Sequence, residues 1–587
     1  MMQYFRRAMA IILSFMLVTG VLGVGVLAED SSPDPSPQIV PYVNAKGVAK
    51  VAVNCLPVAA NMSDGWYAVT EDTQIDGWIE ISGAVNLILC DGKTLKANEG
   101  IHVPEGASLT IWAQSVYTEG STTGKLVSVG SNGLAGIGPA NGQKGGTVVI
   151  NGGNIDSGCN STNSINAPGI GGSVIAINGG KVNARSKYGA AIGSARSGEC
   201  GNITITGGDV SGESDEGAGI GLGTEGSISG NVTINGGTVT AKSHYRSAGI
   251  GGSYESHLNS ITITGGTVTA ISSVDGRNDY NYHGAGIGGG AKGESGTITI
   301  SGGSVTATSN GRGAGIGSGY KADSNDITIT GHATVTATST ATYIGGAGIG
   351  GGEEGNAKGT IPISGNANVT AKTDGSSAGI GGGWSGERNG NLTGSVIIKD
   401  NASVTAVGNY YGAGIGGGHG GNARDGHIHI SGNAHVYAYA GLYAAGIGGG
   451  EEFGAYGGEG CGDVRIEDSA VVFAQTGPEA CSAIGHGRND SYMGSITFGR
   501  GLCVKAGNVL DGIDGTYEPL FSAGLRAEAC KWRFKALIQP CDHPGEIHYV
   551  HISEYGHLRD TCPYCDKLFI EEPQDREEHT SELQSRI

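Results

Sequence analysis

The sequence predicts an all-β fold: a right-handed parallel β-helix, a solenoid with capped ends, followed by a small Cys/His module. Three observations predict it. The first is a repeat, Ala-Gly-Ile-Gly or a close variant, with its central Ile at 137, 170, 192, 220, 250, 287, 316, 349, 380, 415, 447 and 484. These twelve copies recur about every 32 residues, which suits one coil of a solenoid and is too short for a seven-stranded sandwich. The second is alternation. Ile261-Thr262-Ile263 and Val268-Thr269-Ala270 place apolar side chains on one face and polar ones on the other. The third is composition. Gly makes up 112 of 587 residues, far above the ~7% of globular chains. Leucine-rich repeats need Leu at set places, and Leu is scarce here.

The unit from Ile261 to Gly290 justifies each element in turn. Ile261, Ile263, Val268, Ala270, Ala285 and Ile287 are expected to point inward, and the threonines outward. Gly-Gly, Gly-Asn or Gly-His between the first two segments supplies the positive φ of a sharp corner. The Gly run after Ile287, Ile349, Ile380, Ile415 and Ile447 marks a second corner. One unit cannot bury its own apolar edge, but stacked units can. Right-handed winding is the default for parallel crossovers.

The ends differ from the array. Residues 1–28 read as a signal peptide: Arg6-Arg7, an apolar run from Ala8, then Val26-Leu27-Ala28 as a cleavage site. An uncleaved anchor is the alternative, and no span is expected in the mature chain. Residues 29–60 read as a linker, opened by Ser31-Ser32-Pro33-Asp34-Pro35-Ser36-Pro37. Residues 61–128 read as an N-terminal cap with atypical first coils, 129–500 as the repeat, and 501–540 as a C-terminal cap containing Trp532 and Phe534. Residues 541–572 read as a zinc-ribbon-like module. Cys541, Cys562 and Cys565 with His543 or His557 have spacings that suit a structural zinc, and a disulfide is the alternative. Residues 573–587 read as a tail foreign to the protein. Cys55 with Cys90, and Cys461 with Cys481, are candidate disulfides. Cys159, Cys200, Cys503 and Cys530 read as small buried residues.

The repeat resembles the Gly-rich parallel β-helix proteins exported by Gram-positive bacteria, related in shape to the pectate-lyase-like superfamily. Gly77-Trp78-Ile79 through Ser108-Leu109-Thr110-Ile111 is similar to the start of such arrays. The resemblance spans roughly 65–535. It implies a secreted or cell-surface location and leaves lyases, hydrolases and non-catalytic adhesins all open.

Function is expected where the copies differ. A net charge of −19 disfavours nucleic acid as a partner. No Asp-Asp pair occurs, and the outward strand positions are mostly Thr, so catalysis is not the leading expectation. Before the Ala-Gly-Ile segment stand Tyr188, Tyr245, Tyr282, Tyr343, Tyr410-Tyr411 and Tyr443. After it stand Tyr254-Glu255, Glu353-Glu354, Trp384, His419 and Glu451-Glu452. These predict two columns flanking the third strand, with aromatic rings to stack sugars and carboxylates to hold hydroxyls or calcium. The expected partner is a polysaccharide or a host or cell-surface ligand. The alternatives are a polysaccharide lyase or glycoside hydrolase, and a purely structural stalk.

Overall fold

A computed structural model describes residues 38–540 except 160–165, 200, 227–229, 257, 274–281, 387–389, 452–459, 478–481, 488–493, 508–517 and 520–534. Beyond 540 it describes three strands, His548–Ile552, His557–Thr561 and Leu568–Ile570. The described residues contain no helix.

Each coil contributes one strand to each of three sheets. Ser260–Ile263 lies in the first, Thr267–Ser272 in the second and Ile287–Gly288 in the third. Through the array, up to Val471–Gln475 in the second sheet, strands pair in parallel with their equivalents one coil on, as Ile261 with Ile298, Val268 with Val305 and Ile287 with Ile316. Ile261, Ile263, Val268, Ala270, Ala285 and Ile287 are all buried, as the alternation predicts. All twelve repeat isoleucines lie in the third sheet and in one continuous core. Three earlier strands, Asn61–Met62, Ile79–Ile81 and Ile101–His102, extend that sheet into the atypical first coils.

The tetrapeptide has a steric explanation. The Gly after each Ile has φ between +130° and +144° in eleven of the twelve copies, a region costly for any residue with a Cβ. The Gly before the Ile lies against the second sheet. A Cβ on Gly315 would sit 2.5 Å from the Thr338 amide nitrogen. Thus Ile fills the core while its two glycines let backbone approach backbone.

A buried hydroxyl closes the corner between the second and third sheets, which sequence reasoning missed. Ser272 donates to the Ser247 carbonyl at 3.0 Å, Ser309 to Gly284 at 3.0 Å, Ser339 to Gly313 at 3.1 Å and Thr373 to Gly346 at 3.2 Å. Each satisfies a carbonyl that would otherwise be buried without a partner. The signal was Val-x-Ala-x-Ser at the end of the second strand, with the Ser on the inward register.

Both ends are capped by antiparallel strands. Gln38–Val43 and Ala49–Pro57 form a hairpin within the stretch expected to be linker. They fold because Val40, Ala52 and Cys55 share a small core with Ala68, Ile88 and Cys90, flanked by Tyr42, Trp66 and Trp112. Cys55 and Cys90 are both free thiols rather than the disulfide considered from sequence. At the other end, Lys535–Pro540 inserts antiparallel between Val471–Gln475 and Leu502–Gly507. Trp532 and Phe534 lie outside the described residues. Cys503 is disulfide-bonded, not merely a small buried residue.

Candidate functional site: a seam of loop side chains

The two expected columns form a single seam. In eight coils the residue four places after the repeat Ile donates its amide to the carbonyl of the residue four places before the preceding repeat Ile. Tyr320 donates to His283 at 2.9 Å, Glu353 to Arg312 at 2.8 Å, His419 to Ser376 at 2.9 Å and Glu451 to Tyr411 at 2.8 Å. In these coils the trailing loop is therefore clipped to the leading loop of the coil before it. The residue after the clip takes a left-handed turn at Glu225, Glu255, Lys292, Lys321 and Glu354, with φ from 53° to 58°.

The early half of the seam is a cation–aromatic stack. Arg246 lies 4.7, 4.9 and 4.8 Å from the ring centres of Tyr245, Tyr254 and Tyr282. Lys292 lies over Tyr254 and Tyr282, Lys321 over Tyr320, and Lys187 and Arg196 over Tyr188. Such contacts stabilise the loops by about 0.5–1 kcal/mol each. They also occupy ring faces that a sugar would need. Tyr188, Tyr245 and Tyr282 are thus committed to the protein's own cations.

The middle of the seam holds a buried ion pair. Glu353 is 1% exposed and its Oε1 lies 2.6 Å from Arg312 Nη1. Burial pushes its carboxyl up to about 7, against the pull of Arg312, and the charge of Glu354 adds to the rise. Its Oε2 has no hydrogen-bond partner among the described residues. Glu353 therefore faces the interior, whereas Glu354 pairs with Lys321 at 3.1 Å on the surface.

The late half is aromatic. Tyr343 stacks on Tyr410 with centroids 5.3 Å apart and planes at 17°. Tyr411 stacks on Tyr443 at 5.3 Å and 11°. His419 lies 4.5 Å from Tyr411 and 6.0 Å from Trp384. Burial holds the His419 imidazole down at about 4. Because these rings face one another, a glycan along the axis would meet mainly their edges. Tyr343 is the exception, being 65% exposed. It ends strand Thr334–Tyr343 just after a register shift, and such irregularities re-aim side chains.

Glu451 lies in the described chain and Glu452 does not. Cys541, His543, Cys562 and Cys565 lie outside the described residues, and His557 is described only as the start of a strand. Among the described residues no cluster of three or more His, Cys, Asp or Glu could hold a metal ion. The tyrosines were legible as a column, but Arg246, Arg312 and Lys292, which decide which rings are covered, were not singled out.

The fold defines a parallel β-helix protein. Eight segments, 175–196, 232–254, 261–291, 298–320, 327–353, 361–384, 396–419 and 428–451, match the family model described as Beta helix repeat. No curated protein and no solved structure matches the chain.

Proposed function

We propose that this is an exported β-helix whose seam binds, without cleaving, polysaccharide or a related surface ligand at its aromatic end. The observation that carries the reading is backbone strain spent on display of a ring. Tyr343 and its stacking partner Tyr410 have φ of 69° and 46°. Bulky residues rarely adopt such values, and strain of this kind clusters at binding sites. An aromatic ring held out in solvent, with one face stacked on Tyr410, is a platform for the apolar face of a sugar. The acidic chain favours neutral glycans over anionic ones. Export rests on the signal-like segment 1–28, and a structural zinc on the Cys541–Cys565 spacing. On a glycan array of plant, mucin and cell-wall sugars, the full chain is expected to bind at least one class. Tyr343→Ala should weaken that binding about 10-fold, the equivalent of one stacking contact. Absence of binding to every glycan would overturn the reading.

A second reading, lyase or hydrolase, is favoured by one cluster. On the first sheet's outer face, Glu467 lies 2.7 Å from His429 Nε2 and 2.8 Å from Arg465 Nε. Three ionisable side chains meet there, where the two preceding coils carry Ile397 and Pro362 in register with His429. Glu467→Gln should abolish release of unsaturated or reducing ends from uronate-containing polysaccharides, if such release occurs. A wild-type chain that cleaves none excludes this reading.

A further inference from the structure

A row on the outer face of the second sheet departs from the repeat in a way the coils do not require. Equivalent positions at the strand ends carry Asp215, His244, Ser273, Asn310 and Thr340 in successive coils. Glu213, in the first of these coils, lies with Oε1 2.7 Å from His244 Nε2. His244 Nδ1 lies 3.1 Å from Ser273 Oγ. Carboxylate, imidazole and hydroxyl are joined in that order across three coils.

The chemistry of each link follows. The hydrogen bond from His244 is the main cause holding the Glu213 carboxyl below its usual range, so Glu213 is an ionised acceptor. It fixes the proton on Nε2 and leaves the Nδ1 lone pair facing Ser273. Ser273 Oγ can also donate to the Ser243 carbonyl at 3.1 Å, so its one proton is shared between that carbonyl and His244 Nδ1. Thr340 makes the same kind of contact with the Ser309 carbonyl at 3.5 Å, so that contact belongs to the coil. The contact with the imidazole is particular to Ser273. One coil further on, Thr340 Oγ1 donates to Asn310 Oδ1 at 3.1 Å. With its carbonyl committed to Thr340, the exposed Asn310 amide presents N–H donors on the same row as Ser273. Ile271, two residues before Ser273 on the same face, offers a small apolar surface beside the hydroxyl.

We propose that Ser273, His244 and Asn310 form a site that hydrolyses carboxylic esters of small acyl groups, with Glu213 as the residue that positions His244. This does not rest on the sugar platform at Tyr343. Ser273 Oγ bonds to the acyl carbon and its proton passes to His244 Nδ1. The charge on the carbonyl oxygen is met by the Asn310 amide. The ester C–O bond breaks, and the alcohol leaves with the proton from His244. Water then adds to the acyl-serine, giving its proton to His244. The acid departs as Ser273 takes that proton back. This is a nucleophile, base and orienting group in the order acyl transfer requires.

The test uses the full chain, a fluorophosphonate probe mapped by peptide mass, and p-nitrophenyl acetate as substrate. Ser273 should carry the label. Ser273→Ala should lose the label and roughly 10³-fold of kcat/KM. Asn310→Ala should keep the label and lose about 10²–10³-fold in kcat. Glu213→Gln should move the acid limb of the kcat/KM pH profile to lower pH, which a merely structural role would not do. All these side chains lie on the outer face, so the thermal melts of the variants should overlay the wild type. No label at Ser273, or unchanged turnover in Ser273→Ala, overturns the proposal.

Discussion

Gly317→Ala is expected to cost roughly 4 kcal/mol or more, placing it among the most damaging single substitutions the array can suffer. Gly317 has φ of +135°, and a Cβ there would overlap the Gly350 carbonyl oxygen of the next coil. Neither problem relaxes locally. Turning φ negative would break the pairing of Ile316 and Gly317 with Ile349 and Gly350, and moving Gly350 would pass the clash onward. The measurement is a thermal melt with hydrogen exchange resolved by peptide. Protection should fall first in the coils around 316 and 349. Gly77→Ala is the control, since a Cβ there meets nothing within 4 Å and should change stability by less than about 0.5 kcal/mol. A Gly317→Ala protein as stable as that control would refute the steric account of the repeat.

Arg312→Ala is expected to destabilise by about 3–5 kcal/mol at pH 8, the usual cost of stranding a buried charge, and by much less at pH 5. The dependence follows from Glu353. Its folded value of about 7 lies above the ordinary 4.5, so the folded state holds the proton more tightly. Its contribution to stability is full below pH 4.5 and is lost as pH rises through 7. Without Arg312 that loss should steepen. His419 has the opposite sign. Its folded value of about 4 lies below the ordinary 6.5, so its contribution is full above pH 6.5 and is lost as pH falls through 4. In the wild type the two oppose each other across the overlap, and stability should be nearly flat between pH 4.5 and 6.5. Glu353→Gln should uncover the acid-side decline, and His419→Phe the alkaline-side one. Urea melts at pH 5, 6.5 and 8 read all three variants. Equal destabilisation by Arg312→Ala at pH 5 and 8 would show that Glu353 is not the stranded group.

The fold was legible because its causes are local. Val268 and Ala270 declare an inward face by spacing alone, and Gly266 declares a corner because the chain must turn there with positive φ, observed at 89°. The seam was only half legible. Tyr254 and Tyr282 could be aligned as loop residues of equivalent coils. That Arg246 fills the space between them depends on which leading loop clips to which trailing loop, and loops of unequal length hide that register. Ser272 was hidden for another reason. It counts as polar in any pattern, yet its hydroxyl is an interior group matched to one carbonyl. The order Glu213, His244, Ser273 is equally silent in the sequence, since the three stand 31 and 29 residues apart.

The inserted strand Lys535–Pro540 has a mechanical consequence. Inner coils are gripped on both flat sides by neighbours of the same kind, so none is an obvious place to fail. The terminal coils instead meet strands running the opposite way, Gln38–Val43 of the hairpin at one end and Lys535–Pro540 at the other. Under tension these act as latches. Once either latch opens, the coil beneath becomes the new end, and the column should peel one turn at a time rather than snap.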